Sequence, residues 1–243
     1  MERIILIETS TALCSVALAE DGAVTAYRES SEPKAHASLT AVFVQEVLAE
    51  RGVTLADCDA VCVSMGPGSY TGLRVGVSTA KGLCFGSGKP LLAVGTLDTL
   101  VAQAGEIPGQ AGNDGSSPYS FIIPMIDARR MEVYAAVWGH AAAGECGHGM
   151  KQITETTPVI VDENSFAEYL KQGPCLFIGD GAGKCADVIK HPNAHFCQCH
   201  PKASSMLSPA LEALRAGNFK DVAYFEPFYL KEFVATVSKK KLF

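Results

Sequence analysis

Hydrophobic and polar positions near the start of the chain predict a strand–turn–strand unit. Residues 3–7 form a dense apolar run that is typical of a buried strand, and the polar residues from Glu8 onward end it. Residues 14–18 predict a second strand, and the sequence Glu-Asp-Gly at 20–22 predicts a hairpin turn. A third strand is therefore expected over residues 23–28.

The same pattern occurs again past the middle of the chain. Residues 121–126 predict a buried strand, residues 127–130 a polar turn, and residues 132–138 a returning strand. An acidic residue directly follows the first strand of each unit, Glu8 in one and Asp127 in the other. This correspondence indicates that the unit is duplicated.

Glycine-rich turns follow a later strand in both halves. Residues 60–64 and residues 175–178 each predict a strand that leads into such a turn. The glycines of interest in these turns are Gly66, Gly68, Gly179 and Gly181. A duplicated strand–turn–strand unit, followed by strand, glycine turn and helix, is the design of actin-like proteins. Chance recurrence is the alternative, since α/β proteins contain many strand–glycine–helix turns.

These patterns predict an α/β protein with a duplicated actin-like fold. Each of its two lobes should have a mixed sheet and flanking helices. The first lobe is predicted over 1–103 and the second over 119–243. Gly, Pro, Ser and Asn are frequent in residues 104–118, which indicates a loop or linker. A C-terminal segment of the second lobe could pack back on the first.

Two predicted helices of the first lobe have unusual surfaces. The helix over 36–51 is apolar over well over half of its circumference, although packing on one sheet needs only one stripe. The helix over 71–85 contains interior glycines, each costing about 1 kcal/mol relative to alanine. We expect an association surface here; a wholly internal first helix is the alternative. The residues predicted on this surface are His36, Leu39, Phe43, Val47, Gly72, Arg74, Val75, Gly76 and Thr79.

Composition and charge limit the classes of function. The hydrophobic share of 48% and the charged share of 19% are typical of a globular protein. No apolar run approaches the ~20 residues needed to span a bilayer. The apolar run that follows Arg3 is too short for a signal-peptide core, so we expect a cytoplasmic protein. Nine cysteines in apolar stretches agree, since they favour buried free thiols in a reducing compartment. The net charge of -6 disfavours stand-alone nucleic-acid binding.

One segment carries a specific family signature. Residues 65–76, with the sequence Met-Gly-Pro-Gly-Ser-Tyr-Thr-Gly-Leu-Arg-Val-Gly, resemble the signature of the bacterial TsaB family, formerly called YeaZ. Residues 7–18, 127–134 and 227–230 agree with the same family. The resemblance covers the whole chain, is strongest in the first lobe, and is weakest over residues 140–220.

The resemblance implies both a fold and a role. It implies the actin/Hsp70/sugar-kinase superfold and participation in the synthesis of N6-threonylcarbamoyladenosine beside the anticodon of tRNA. It further implies a non-catalytic scaffold or activator that forms a heterodimer with its catalytic paralogue TsaD. TsaE joins a larger complex in that family. Contact with tRNA would then be indirect, and the chain alone is expected to form a homodimer.

Ligand-type residues are missing from the metal site that TsaD-like proteins use. Those proteins hold a metal through a His-x-x-x-His pair, and the matching positions here are Thr96 and Leu100. Neither side chain has an imidazole, so we predict no catalytic residues and no metal at this place. A second group of ligand-type residues leaves metal binding open, although Pro192 disrupts a helical His-x-x-x-His face. This group consists of His191, His195, Cys197, Cys199 and His200.

A nucleotide cleft is the remaining candidate site. In kinase-like members of the superfold, two acid-bearing turns and a glycine loop bind phosphates and magnesium. Glycine turns here could offer N–H groups to an anion, but Pro67 removes one donor. We therefore expect a degenerate cleft that requires no cofactor and binds ATP or ADP weakly at most. The predicted cleft residues are Glu8, Thr9, Ser10, Gly66, Gly68, Ser69, Asp127, Gly179 and Gly181.

Two other functions remain as alternatives. The first is an actin-fold small-molecule kinase or ATPase, which would need tight ATP binding and turnover. The second is a glycoprotease-type hydrolase, although the sequence contains neither a GxSxG nor an HExxH motif.

Overall fold

The first sheet has five strands. The computed structural model describes residues 2–107, 117–140 and 150–231. The strands of the first sheet are β1 (Arg3–Glu8), β2 (Cys14–Glu20), β3 (Ala23–Ser30), β4 (Ala60–Ser64) and β5 (Leu91–Val94). Their spatial order is β3-β2-β1-β4-β5, with β1 to β3 antiparallel and β4 and β5 parallel to β1.

The second sheet repeats this arrangement. Its strands are β6 (Phe121–Asp127), β7 (Glu132–Ala135), β8 (Trp138–His140), β9 (Met150–Gln152), β10 (Thr157–Ile160), β11 (Cys175–Gly179) and β12 (Ala194–Gln198). Five of them follow the order β10-β7-β6-β11-β12, which is the order of the first sheet. The predicted duplication and the predicted actin-like α/β fold are therefore confirmed.

The returning strand predicted over residues 132–138 is wrong in one respect, because it consists of two strands. β7 pairs with the end of β6, and β8 pairs with its beginning. Between them, the Val137 N–H donates to the Thr154 hydroxyl at 2.9 Å, and its carbonyl accepts from the Ile153 N–H at 2.8 Å. The backbone N–H and carbonyl of Val137, between β7 and β8, are thus hydrogen-bonded outside the pairing with β6.

Helices cover the faces of both sheets. They are α1 (Ala35–Glu50), α2 (Tyr70–Ser87), α3 (Thr96–Ala104), α4 (Ala167–Leu170), α5 (Ala182–Cys185) and α6 (Leu207–Arg215). The Ser69 hydroxyl caps α2 by accepting from the Gly72 N–H at 3.3 Å, and Gly88 follows the last helical residue in the left-handed conformation that glycine favours. Both long helices of the first lobe thus lie within a residue or two of their predicted bounds.

Each half of the sequence provides a helix that packs on the sheet of the other lobe. Leu97 and Leu100 of α3 pack with Leu176 of the second sheet. In the opposite direction, Met206 and Ala210 pack on the first sheet from the C-terminal half. α3 therefore lies in an apolar cluster shared with the second lobe, and α6 completes the core of the first. Of the predicted linker, the structure describes residues 104–107 and 117–118.

Candidate functional site

A cleft of about 680 Å³ lies between the two lobes. Its first wall is the turn after β1 together with the loop before α2, and its second wall is the turn after β6. Four of the predicted cleft residues line it: Ser10, Gly68, Ser69 and Asp127. The other predicted cleft residues do not line it and have structural roles instead: Glu8, Thr9, Gly66, Gly179 and Gly181.

Glu8 is fully buried, which corrects its predicted place in the cleft. One carboxylate oxygen accepts a hydrogen bond from the Ser10 N–H at 2.6 Å. The other has no hydrogen-bond partner in the described part of the chain. Burial raises the pKa of Glu8 to about 7, because the charged form loses its hydration there. A carboxylate held this way faces the core and cannot contact a ligand in the cleft.

The glycines of the first lobe allow α2 to approach the turn after β1. A Cβ on Gly68 would lie 2.3 Å from the Ser10 carbonyl oxygen, and one on Gly72 would lie 2.1 Å from the Thr9 carbonyl oxygen. A Cβ on Gly76 would lie 2.2 Å from the Thr9 hydroxyl. The small-residue face predicted to meet a partner at Gly72 and Gly76 therefore meets this chain's own turn.

The second lobe holds its acid-bearing turn by internal contacts. The Asp180 carboxylate accepts from the Asp127 N–H at 2.9 Å, and burial raises the pKa of Asp180. Asp127 forms an ion pair with Lys184. Gly179, at φ +128°, lies so close to the β6 backbone that a Cβ would come 2.2 Å from the Met125 carbonyl oxygen. These contacts fix the turn and engage one oxygen of the Asp127 carboxylate.

Another predicted cleft glycine packs on the C-terminal segment. Gly66 has a φ of +106°, and a Cβ there would lie 2.8 Å from the Phe228 carbonyl oxygen. The Phe228 N–H donates to the Met65 carbonyl at 2.7 Å. Tyr229 then packs on Tyr70, with ring centroids 4.9 Å apart, and residues 228–231 line the cleft. Sequence reasoning did not place this segment at the cleft, since nothing local indicates where it docks.

Two residues predicted on the association surface belong to the core instead. Phe43 is 8% exposed and Val47 is fully buried, and both pack in the apolar cluster between α1, α2 and the first sheet. Leu39 is half-buried against the same cluster. The wide apolar arc of α1 arises because the helix packs on a sheet and on α2 at once. The prediction of Phe43 and Val47 as partner contacts is corrected accordingly.

The other predicted surface residues remain accessible. Arg74 is exposed, and Val75 and Thr79 are half-buried, in a groove of about 440 Å³ between α1 and α2. The guanidinium of Arg74 lies 5.4 Å from the centre of the Tyr70 ring. His36 ties α1 to the turn after β1, because its Nε2 lies 2.8 Å from the Thr11 carbonyl oxygen.

Phe85 is an exposed residue that sequence reasoning missed. It is 86% exposed near the end of α2, beside a second groove lined by Gly82, Val222 and Ala223. Helical spacing could have indicated this, since residues 71, 75, 78, 82 and 85 share one face of α2. The outward face of α2 thus runs from the cleft to an uncovered aromatic ring.

The positions considered as metal ligands do not form a metal site within the described residues. Thr96 and Leu100 are fully buried, and the Thr96 hydroxyl lies 3.0 Å from that of Ser64. No set of three His, Cys, Asp or Glu side chains in residues 2–107, 117–140 and 150–231 is arranged for a metal. β12 contains His195 and Cys197, and Cys199 directly follows the strand. Within the same ranges, no helix is long and apolar enough to cross a membrane.

Two sheets of identical strand order with a cleft between them define a two-lobed protein of the actin-like class. Residues 30–239 match the family model described as "TsaD: tRNA N6-adenosine threonylcarbamoyltransferase". The tRNA threonylcarbamoyladenosine biosynthesis protein TsaB of Escherichia coli (strain K12) is 32% identical over 238 residues, which cover 96% of each chain. The chain therefore belongs to the TsaB family.

Further relatives agree with this membership. TsaB of Haemophilus influenzae is 37% identical over 131 residues, covering 54% of this chain and 51% of that protein. The solved structure of YeaZ from Pseudomonas aeruginosa superposes with a TM-score of 0.78 at 26% identity. That superposition covers 95% of this chain and all of the other, so the two lobes correspond throughout.

Proposed function

We propose that this chain acts in the biosynthesis of threonylcarbamoyladenosine in tRNA as a non-catalytic subunit. It binds the transferase TsaD and thereby supports transfer of the threonylcarbamoyl group. Support comes from the relatives named TsaB and from the match to the transferase family model. The core positions of Thr96 and Leu100 also support a non-catalytic role, since both side chains are fully buried and neither has an imidazole.

The observation that carries the proposal is the uncovered outward face of α2. Arg74 and Ser78 are exposed on it, and Phe85 ends it with most of its ring in solvent. Large exposed aromatic residues next to an apolar groove are typical of protein–protein contacts. The exposed guanidinium of Arg74 can pair with a carboxylate of the partner. A surface of this kind fits another protein better than it fits a small ligand.

The test replaces Phe85 by Asp in the full chain. We expect the dissociation constant for TsaD to rise by about 30-fold or more, because buried aromatic contacts often contribute 2 kcal/mol or more. The matched control is Ile160→Asp, which changes a residue that is 76% exposed on β10 of the second lobe. The control should bind TsaD as the wild type does.

The same pair of variants can contradict the proposal. Both changes lie at exposed positions, so circular dichroism should show folded proteins. If folded Phe85→Asp protein binds TsaD with wild-type affinity, and Arg74→Glu does so too, the surface lies elsewhere. By contrast, Phe43→Asp is unsuitable as a test, because a charge in the core of the lobe would unfold it.

The proposal also covers self-association, the larger complex and ligand binding. The chain alone forms a homodimer through α1 and α2, and TsaE joins the heterodimer in a larger complex in the cytoplasm. tRNA contacts the chain only through that complex. The chain requires no cofactor, and its cleft binds ATP or ADP weakly at most. The burial of Glu8 and the ion pair between Asp127 and Lys184 support weak binding, since one acid is covered and the other already has a cationic partner.

A further inference from the structure

Cys197 and Cys199 differ from the other cysteines that the structure describes. The described residues contain eight free cysteines, and all except these two are buried. Both are half-buried and lie at the end of β12, which is an edge strand of the second sheet. They are therefore the described thiols that a reagent in solution can approach.

The two thiols lie on the same side of the strand. Phe196 packs in the core of the second lobe, and the side chain of Gln198 accepts from a backbone N–H of α5 at 2.6 Å. Because side chains alternate along a strand, Cys197 points to the opposite face, and Cys199 directly follows the strand. There both pack against the apolar cluster around α3.

We propose that Cys197 and Cys199 form a reversible disulfide by exchange with a low-molecular-weight disulfide such as oxidised glutathione. The Cys197 thiolate attacks the small disulfide, whose S–S bond breaks, and one small thiolate leaves. Cys199 then loses its proton to solvent and attacks the Cys197 sulfur, which releases the second small thiol. Two protein thiols are oxidised and one small disulfide is reduced to two thiols.

The order of these steps follows from the environments of the thiols. Burial, and then the neighbouring Cys197, raise the pKa of Cys199 to about 12. Cys199 is therefore a poor first nucleophile, and its attack limits the closing step near neutral pH. The closing rate should rise on the order of tenfold per pH unit between pH 7 and 9, as the thiolate fraction grows.

Disulfide formation requires a small movement at the end of β12. Alternate Cα atoms of a strand lie roughly 6.6 Å apart, whereas disulfides favour about 5.5–6 Å. Cys199 has already left the strand, and its N–H contacts the Gly179 carbonyl at a long 3.4 Å. Closing the ring moves the Cys199 backbone and so alters this contact next to Asp180, which holds the Asp127 turn at the cleft. The modification thus acts on one wall of the cleft.

The experiment uses the full chain and oxidised glutathione at pH 7, 8 and 9. Trypsin should release residues 191–202 as one peptide, which contains both cysteines and no others. We expect this peptide to lose two hydrogens, about 2 Da, in protein that circular dichroism shows to be folded. Cys199→Ser should instead accumulate a glutathione adduct on Cys197. The matched control Cys185→Ser, which changes a buried thiol, should form the disulfide as the wild type does.

Two results would overturn the proposal. One is a peptide 191–202 that stays fully reduced at all three pH values. The other is wild-type protein in which this peptide carries only glutathione adducts, since this would mean that the two thiols cannot close the ring.

Discussion

At the scale of the residue, Glu8 is a buried acid whose environment opposes its charge. Its pKa lies at about 7 in the folded protein, above the ordinary value of 4.5 that applies when the chain unfolds. The folded state therefore binds the proton more tightly between these two values. The contribution of protonated Glu8 to the free energy of unfolding is fully present below about pH 4.5. It is lost as the pH rises to about 7, where the carboxyl group ionises inside the core.

We predict that the free energy of unfolding falls by roughly 2–3 kcal/mol between pH 5 and pH 8 because of Glu8. Glu8→Gln should remove most of this dependence, which denaturant titrations at both pH values would measure. Glu20→Gln is the control, because hydrogen bonds from Arg3, Thr25 and Arg51 lower the pKa of Glu20 to about 2. That carboxylate stays ionised over the whole range, so this variant should keep the wild-type slope. An unchanged slope in Glu8→Gln would contradict the prediction.

At the scale of the element, α2 illustrates which features sequence patterns can predict. Helix bounds and strands are local properties, so the pattern located α1, α2 and most strands. The orientation of a helix depends on what the chain brings to it from elsewhere. The contact between Gly72 and Thr9, and the burial of Phe43, involve residues far apart in sequence. A wide apolar arc therefore could not distinguish a core helix from an interface.

Substitutions at the glycines of α2 test which face of the helix packs against this chain and which face is open. Gly72→Ala should destabilise the protein by about 2 kcal/mol or more, because its Cβ would overlap the Thr9 backbone. Gly82→Ala should stabilise it by about 0.5–1 kcal/mol, since its Cβ would meet no atom within 4 Å beyond its chain neighbours and the backbone of its own helix, and alanine favours a helix. Urea unfolding of both variants measures the two effects. Equal effects of the same sign would show that Gly72 does not contact the turn.

For the cleft too, local sequence could predict some of the lining side chains but not all of them. Ser10, Ser69 and Asp127 could be predicted at the cleft because each follows a strand or precedes a helix at the expected edge of a sheet. Glu8 occupies the equivalent position in sequence but is covered in the fold. The loop before α2 packs over it, with the Ser69 N–H donating to the Ser10 carbonyl at 2.6 Å. Only this long-range packing decides which acid faces solvent.

At the scale of the whole molecule, the lobes share apolar cores instead of meeting only at a hinge. Leu100 of α3 is fully buried in a cluster with Ile122 and Leu176 of the second sheet. Met206, from the other end of the chain, packs in the core of the first lobe. Neither lobe is complete without a segment from the other half of the sequence. We therefore expect the two lobes to unfold as one cooperative unit.

Two probes can follow the lobes separately during this unfolding. Trp138, the single tryptophan, is buried in the shared cluster with Leu100, and Cys62 is fully buried in the first lobe. Tryptophan fluorescence and alkylation of Cys62, mapped by mass spectrometry, should give the same denaturant midpoint. Leu100→Ala should lower both midpoints together, at a cost of about 2–5 kcal/mol for the cavity. If fluorescence is lost while Cys62 stays protected, the lobes unfold independently and the shared core does not couple them.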